Sequence, residues 1–271
     1  YAKVLHCEYS EPKFVPSRFG PAFLVIKSSK VKKIEPVEND LLAALPKDEL
    51  ESIFSLLRLV DLEMDEVLWE MEERRKYIYF PTTAMICLLY ETEDGVSVEV
   101  GMTGRKGMVG VVTFVGDSRM AKRAVVQRAG QAYRMKAADV EAQFESSPAF
   151  QDICMSYTQT LIAQISQSAI CNRLHSLEQQ ICRYLLVSHD NLQTRTFQMT
   201  HAQIAAVLGV RRESVSLAAR RLKDHGVIDY SRGEMTIANK RYLLSTACEC
   251  YSVVKEQYDR ILGKYKLGHR N

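Results

Sequence analysis

Arg211, Arg212 and Glu213 head the run Arg211-Arg212-Glu213-Ser214-Val215-Ser216-Leu217-Ala218-Ala219-Arg220-Arg221-Leu222-Lys223, whose residue types suit the grooves of duplex DNA. A guanidinium can bond guanine O6 and N7 together, and a carboxylate can accept from the cytosine amino group. Leu217, apolar, can touch a thymine methyl. Arg220, Arg221 and the later Arg232 suit phosphates, which give affinity and register but little base discrimination. Such groups read DNA only if a rigid element presents them together. At helical spacing Val215, Ala218 or Ala219, and Leu222 share one face, while Glu213, Ser216, Leu217 and Arg220 share the opposite one. The candidate DNA-contacting set is Arg211, Arg212, Glu213, Ser214, Ser216, Leu217, Arg220, Arg221 and Arg232.

The neighbouring sequence supplies the elements that would hold this helix. Thr200-His201-Ala202-Gln203 has the Ser/Thr-x-x-Gln pattern of a capping box, and Ile204, Val207 and Leu208 form the inner face of a short helix. Gly209 ends it, because glycine tolerates the left-handed conformation a helix stop requires. Gly226 stops the second helix. Val227-Ile228-Asp229-Tyr230 and Met235-Thr236-Ile237, around Arg232-Gly233, then read as a two-stranded wing. A basic run alone would be a solvated helix face. Two short helices, a glycine turn and a wing together point to a helix-turn-helix.

Upstream, the pattern changes twice. Asn39 or Asp40 can cap a short helix carrying Leu41, Leu42 and Leu45, and Pro46 suits the first turn of another with Leu50, Ile53, Phe54 and Leu57. From about Glu66 to Met135, seven short β-rich runs follow: 67–69, 77–80, 85–90, 96–100, 108–114, 124–127 and 132–135. Asp94-Gly95 is a hairpin signal, and Val96, Val98 and Val100 alternate with Ser97 and Glu99. This predicts a β-barrel or jelly roll. Ser147-Pro148 opens a stretch to about 187 without Gly or Pro, and Ser176-x-x-Gln179 places a break near Asn172 to Ser176. The spacing predicts one helix at about 149–172, read as a dimer stalk with a long helix lying on its own barrel as the alternative, and a second from 177. Tyr242, Leu243, Ala247, Tyr251, Val254, Tyr258 and Ile261 predict one more amphipathic helix.

Hydrophobic residues form 46% of the 271 and charged ones 25%, enough apolar material for more than one core. The net charge of +3 discriminates nothing, but its distribution does, since residues 38–75 are mainly acidic and Arg211 to Lys223 basic. The seven cysteines, at 7, 87, 154, 171, 182, 248 and 250, contain no C-x-x-C pair. Cys248 and Cys250 are expected on different sides of a helix. The expectation is reduced, inert thiols, with no metal site and no cofactor. A P-loop, a G-x-S-x-G elbow and H-E-x-x-H are all missing, which argues against an enzyme. No apolar run reaches the roughly 18 residues of a membrane span. A soluble cytoplasmic protein without membrane contact is expected, and the opening Tyr1 is read as a trimmed start.

Thr200 to Ile237, above all Gly209-Val210-Arg211-Arg212-Glu213-Ser214-Val215, resembles the winged helix-turn-helix of the Crp–Fnr family of bacterial transcription regulators. The order of parts from about 38 to 240 matches as well. The resemblance implies a homodimer on a roughly two-fold symmetric site of double-stranded DNA, with RNA polymerase as a further partner. It assigns Arg212 and Glu213 to the family's base-reading Arg-Glu pair. The family's second base-reading arginine falls at Leu217, and Arg211 replaces a small capping residue. In cyclic-AMP-binding members a Gly-Glu pair holds the ribose and an Arg-Ser pair the phosphate. Here Val111 stands at the glutamate position of Met108 to Phe114, and the later pair is Lys122-Arg123. Cyclic AMP is therefore not the expected effector. Arg119, Lys122 and Arg123 can hold another anionic effector, such as a different nucleotide, or form a basic loop without one. Only Cys7 lies in the N-terminal region and no histidine lies in the β-roll, which argues against the iron–sulfur and haem branches. His175, at the expected break, reads as a structural histidine.

The expected fold is α+β: an N-terminal cyclic-nucleotide-binding-like β-roll, a long dimerisation helix and a C-terminal winged helix-turn-helix. The boundaries are 1–36 for an extension of unknown structure, 37–147 for the β-roll and 148–175 for the dimerisation helix and hinge. Residues 176–240 are assigned to the DNA-binding domain and 241–271 to a C-terminal helical extension. The expected function is sequence-specific transcription regulation as a homodimer. The alternative is a nonspecific architectural DNA-binding protein.

Overall fold

The structure is a computed structural model that describes residues 38–71, 73–91, 93, 97–111 and 123–268. The N-terminal extension, Arg119, Lys122 and the Asp94-Gly95 turn lie outside the described residues. Asn39, near the start of the described residues, is a fully buried anchor. Its Oδ1 accepts from the backbone N–H groups of Leu41 and Leu42, and its Nδ2 donates to the carbonyls of Pro81 and Gly107. A 3-10 turn, Leu42–Ala44, and helix α1, Lys47–Phe54, follow and drive Leu41, Leu42, Leu45 and Ile53 into the core.

Seven strands build the roll: β1 (Arg58–Leu62), β2 (Val67–Trp69), β3 (Tyr77–Pro81), β4 (Met85–Glu91), β5 (Ser97–Thr103), β6 (Arg123–Arg128) and β7 (Gly130–Lys136). They pair antiparallel in two sheets, β1-β7-β3 and β2-β6-β4-β5. Leu62, Tyr79 and Ala132 from the first sheet meet Trp69, Ile86, Leu88 and Val126 from the second in one core. The expected β4–β5 hairpin is present, with Glu91 opposite Ser97. One expected strand is not: within 108–111 the chain makes only an isolated bridge, Val109 to Tyr79, and Gly110 (φ 104°) turns it away. That apolar run is buried as filling rather than as a ladder. Conversely, β1 escaped the sequence reading because its burial scarcely alternates; pairing with β7 defines it. Helix α2, Ala137–Ser146, was also unread, and no side chain caps its start.

Helix α3, Pro148–Leu174, begins as expected. Ser147 Oγ accepts from Phe150 N–H at 3.1 Å and bonds the Glu49 carboxylate, and Pro148 occupies the first turn. It ends at His175. Ser176 and Gln179 then close a full capping box that launches α4, Leu177–Leu192. The break sits where the sequence placed it.

After α4 come β8 (Thr196–Gln198), α5 (His201–Leu208), α6 (Arg212–Asp224), β9 (Ile228–Ser231) and β10 (Glu234–Ile237). The wing is three-stranded rather than two-stranded, in the order β8-β10-β9, because β10 recruits the short β8 on its far side. The single C-terminal helix expected is two, α7 (Lys240–Thr246) and α8 (Cys250–Gly268), separated where Ala247 turns extended (ψ 145°). α7 packs on α4. α8 runs back along α3, where Val254, Tyr258 and Ile261 share a core with Phe150, Ile153, Tyr157 and Leu161. Thus α8 covers one side of the long helix from within the same chain.

Candidate nucleic-acid interface

One capped start and two left-handed glycines, Gly209 and Gly226, fix the helix pair. Thr200 and Gln203 form a reciprocal capping box on α5, and Gly209 (φ 64°) ends it, letting Val210 N–H bond the Ala205 carbonyl. Arg211 is the N-cap of α6 and, having no hydrogen-bond acceptor, makes no side-chain capping bond. Val215, Ala218, Ala219 and Leu222 are buried against α4 and α5. Arg211, Arg212, Glu213, Ser214, Leu217, Arg220 and Arg221 are exposed, Leu217 at 54%. An exposed leucine amid charges has no packing duty here.

The remaining two expected contacts differ in kind. Ser216 is half-buried; its hydroxyl donates to the Arg212 carbonyl (3.0 Å) and meets His201 Nδ1 (3.0 Å). It ties α6 to α5. His201 stacks on Tyr230 of the wing at 4.3 Å, and burial with the Arg212 charge holds its imidazole below the ordinary value. Arg232 tops the wing, exposed, in a two-residue turn where both Arg232 (φ 51°) and Gly233 (φ 81°) are left-handed, as a type I′ hairpin requires. Lys223, unremarked in the sequence reading, straps α6 to the wing through Asp229 Oδ1 (2.7 Å) and the Tyr230 carbonyl (3.2 Å). Helix and wing therefore present one rigid cationic edge, and Glu213 lies in the first turn of α6, where the helix dipole favours an acid.

The roll touches this module through the outer face of β4, β5 and β6. Met85, Cys87 and Met102 share a core with Ile181, Tyr184, Leu185, Phe197 and Leu208. Within that contact lies a polar network. Glu99 Oε2 accepts from the Cys87 thiol (3.1 Å) and from Gln127 Nε2 (3.3 Å), and Gln127 also donates to Tyr184 Oη of α4 (3.0 Å). Burial pushes the Glu99 carboxyl up to about 7, with Cys87, Arg183 and Gln127 holding it back from rising further. A cleft of about 160 Å³, lined by Asp65, Glu99, Gln127, Gln203 and Val207 among others, admits solvent to one side of it. From the sequence, Glu99 was legible only as a polar residue alternating with valines. That polar side of β5 is roofed by the other domain, which no local pattern reveals. Beside it, Asn191 Oδ1 accepts from Gly104 N–H, and Lys106 pairs with Asp190 at 3.7 Å.

Of the candidate effector cations, only Arg123 is described, and it pairs with Glu70 at 3.1 Å. Val111, at the position that the resemblance matches to a ribose-binding carboxylate, is 1% exposed in an apolar cluster with Ile78, Phe80 and Met108.

The family model described as a cyclic nucleotide-binding domain matches residues 59–147, and that described as a Crp-like helix-turn-helix domain matches residues 179–246. Together they span more than half of the chain in the order in which the structure places the two parts. The chain belongs to the Crp–Fnr family. Its fold is that of solved Crp–Fnr regulators. FixK2 from Bradyrhizobium japonicum superposes with a TM-score of 0.61 at 14% identity, covering 71% of this chain and 98% of that one. A transcriptional regulator assigned to the Crp/Fnr family from Eubacterium rectale gives 0.59 at 15% identity, with 77% and 98% covered. A Crp/Fnr-family regulator from Thermus thermophilus gives 0.59 at 15%, with 70% and 98% covered. No curated protein sequence matches the chain. Among the described residues no helix is long and apolar enough to cross a membrane.

Proposed function

We propose that this Crp–Fnr chain is a homodimeric regulator that binds a specific two-fold symmetric DNA site through α6. The carrying observation is the exposed outer face of α6, with Arg212, Glu213 and Leu217 outward and Val215, Ala218, Ala219 and Leu222 buried behind them. In this reading Arg212 and Glu213 read base edges. Arg211, Ser214, Arg220, Arg221 and Arg232 hold phosphates, and Ser216 orders the helix pair. Leu217 replaces a polar contact by an apolar one, which favours a thymine at the position it faces.

Dimerisation is supported by α3. Met155 (48% exposed) and Ile162 (60%) lie seven residues apart with Ala169 seven further on, on the side of the helix away from α8. A seven-residue apolar stripe is the seam of two helices wound together. Such a pair sets two copies of α6 about one DNA turn apart, roughly 34 Å. Residues 37–147 then act as the sensor, 148–175 as stalk and hinge, and 176–240 as the reader, with RNA polymerase as the protein partner at promoters. The buried Val111 supports an effector other than cyclic AMP.

The test is selection of duplexes from a random pool by the full chain, wild type against Arg212→Ala. The wild type enriches an inverted repeat. Arg212→Ala loses preference at one base pair per half-site, at roughly 1–3 kcal/mol on the best site. Recovery of an unenriched pool by the wild type would overturn the specific reading in favour of architectural binding.

A further inference from the structure

Four side chains that the DNA-reading face does not use converge at the junction between the long helix and the reader. Cys171 lies in the last turn of α3 and His175 caps it, whereas Cys248 sits in the link before α8 and Cys250 is its first residue. Their ligand atoms, three Sγ and one imidazole nitrogen, all lie within 4.8 Å of one another. Cys171 Sγ is 3.5 Å from Cys248 Sγ, and Cys250 Sγ is 3.5 Å from His175 Nδ1. With Zn–S near 2.3 Å and Zn–N near 2.0–2.1 Å, a tetrahedral S₃N site has edges of roughly 3.6–3.8 Å. The two 3.5 Å spacings lie at the short end of those edges, and the remaining pairs lie within 4.8 Å.

Three further features distinguish this cluster from packed thiols. Cys171, Cys248 and Cys250 are 0–4% exposed and form a small buried cluster of their own, separate from the larger aliphatic cores. His175 turns Nδ1 toward the sulfurs, while its Nε2 lies 3.2 Å from the Glu249 carboxylate. A ring nitrogen held by a carboxylate is the usual outer support of a metal-binding histidine, fixing tautomer and orientation. Finally, Arg183 acts electrostatically on Cys171 and Cys250 and is 8% exposed; its Nε has no hydrogen-bond partner among the described residues. Three thiolates, a neutral imidazole and a divalent ion carry a net charge of −1, which a buried guanidinium offsets.

We propose that Cys171, His175, Cys248 and Cys250 form a Cys₃His site for a zinc(II) ion that clamps the end of α3 to the start of α8. Soft thiolates in a closed tetrahedral set, with no open position, suit a structural zinc ion rather than a hard oxygen-seeking cation. Formation of the site displaces the thiol protons and requires reduced cysteines.

The full chain, purified reduced and stripped of metal, is titrated with cobalt(II) and then with zinc(II), without DNA, so that the readout stands apart from DNA recognition. One cobalt per chain is expected, with intense tetrahedral visible bands and strong near-ultraviolet thiolate charge transfer, displaced by one equivalent of zinc. Cys250→Ser is expected to abolish the bands and Glu249→Gln to weaken metal affinity about tenfold or more. Cys154→Ala, buried in another core, leaves them unchanged. Should Cys250→Ser not fold, the wild-type spectrum and the Glu249→Gln affinity decide the question. A wild type without a tetrahedral thiolate spectrum, or a spectrum that persists in folded Cys250→Ser, would overturn the assignment.

Discussion

Replacing Glu99 by glutamine tests whether the roll and the reader are held together at an energetic cost. The Glu99 carboxyl is surrounded by Cys87 on β4, Gln127 on β6, and Arg183 and Tyr184 on α4, with Asp65 lining the cleft beside it. Burial raises it from the ordinary 4.5 to about 7. The sign is that of a group protonated more readily when folded: the unfolded chain releases this proton near 4.5 and the folded chain near 7. Stability therefore falls as pH rises between these values, and the full penalty applies above about 7. The gap corresponds to roughly 3 kcal/mol at pH 8 and under about 1 kcal/mol at pH 5. Water entering the cleft screens part of this, leaving a difference of about 2 kcal/mol between the two pH values. Glutamine keeps an acceptor for Cys87 and Gln127 and cannot ionise. Urea unfolding of the full chain should show Glu99→Gln gaining about 2 kcal/mol relative to wild type at pH 8, and little at pH 5. An equal effect of the substitution at both pH values would show that Glu99 is not held protonated by burial, and the reasoning would fail.

Three other outcomes follow from the geometry. Arg221→Ala should weaken binding to all duplexes alike and reduce the salt slope by about one; a changed base preference in a binding selection would refute its phosphate role. Ile162→Glu places a charge in the seven-residue stripe of α3 and should convert the chain to monomers in analytical ultracentrifugation with its circular dichroism intact, whereas an unchanged dimer would place the seam elsewhere. Gly107→Ala sets a Cβ within 2.7 Å of the ring carbons of Tyr157, which is fully buried and bonded to Thr103. Overpacking there should cost about 1–3 kcal/mol in a denaturant titration; a loss under 0.5 kcal/mol would mean that Tyr157 moves aside freely.

What could be read from the sequence was what neighbouring residues decide. The capping boxes at Ser176 and Thr200, the stop at Gly209 and the Arg232-Gly233 turn are interactions within four residues, and all are present. Elements defined by distant partners escaped: β8 exists because β10 pairs with it, and β1 because β7 does. Within the expected strand 108–114, the described residues 108–111 misled because apolar residues are buried equally well as filler and as strand. The junction cysteines escaped for both reasons. His175 and Cys248 are separated by the whole reader, and the expectation that Cys248 and Cys250 would diverge assumed one continuous helix. The chain is extended at Ala247 and α8 starts only at Cys250. Glu99 was visible as a strand's polar side, yet not as an acid roofed by another domain.

The return of α8 along α3 makes the reader a nested module, entered at Ser176 and left at about Ala247. Both covalent crossings pass the same point, since Cys171 and His175 on one side meet Cys248 and Cys250 on the other. A domain tethered at two distant points can swing only about the line joining them. One tethered twice at a single point is oriented by its packing alone, here the core that Met85, Cys87 and Met102 share with it. Excising 176–247 and joining the adjacent ends would keep α3 and α8 packed together and bare only the roll face around Met85, Cys87 and Met102, whereas cutting the chain after the wing would strip α3 of its cover and bare Phe150, Tyr157 and Leu161. The last helix is thus part of the trunk, and the DNA-reading head is the graft.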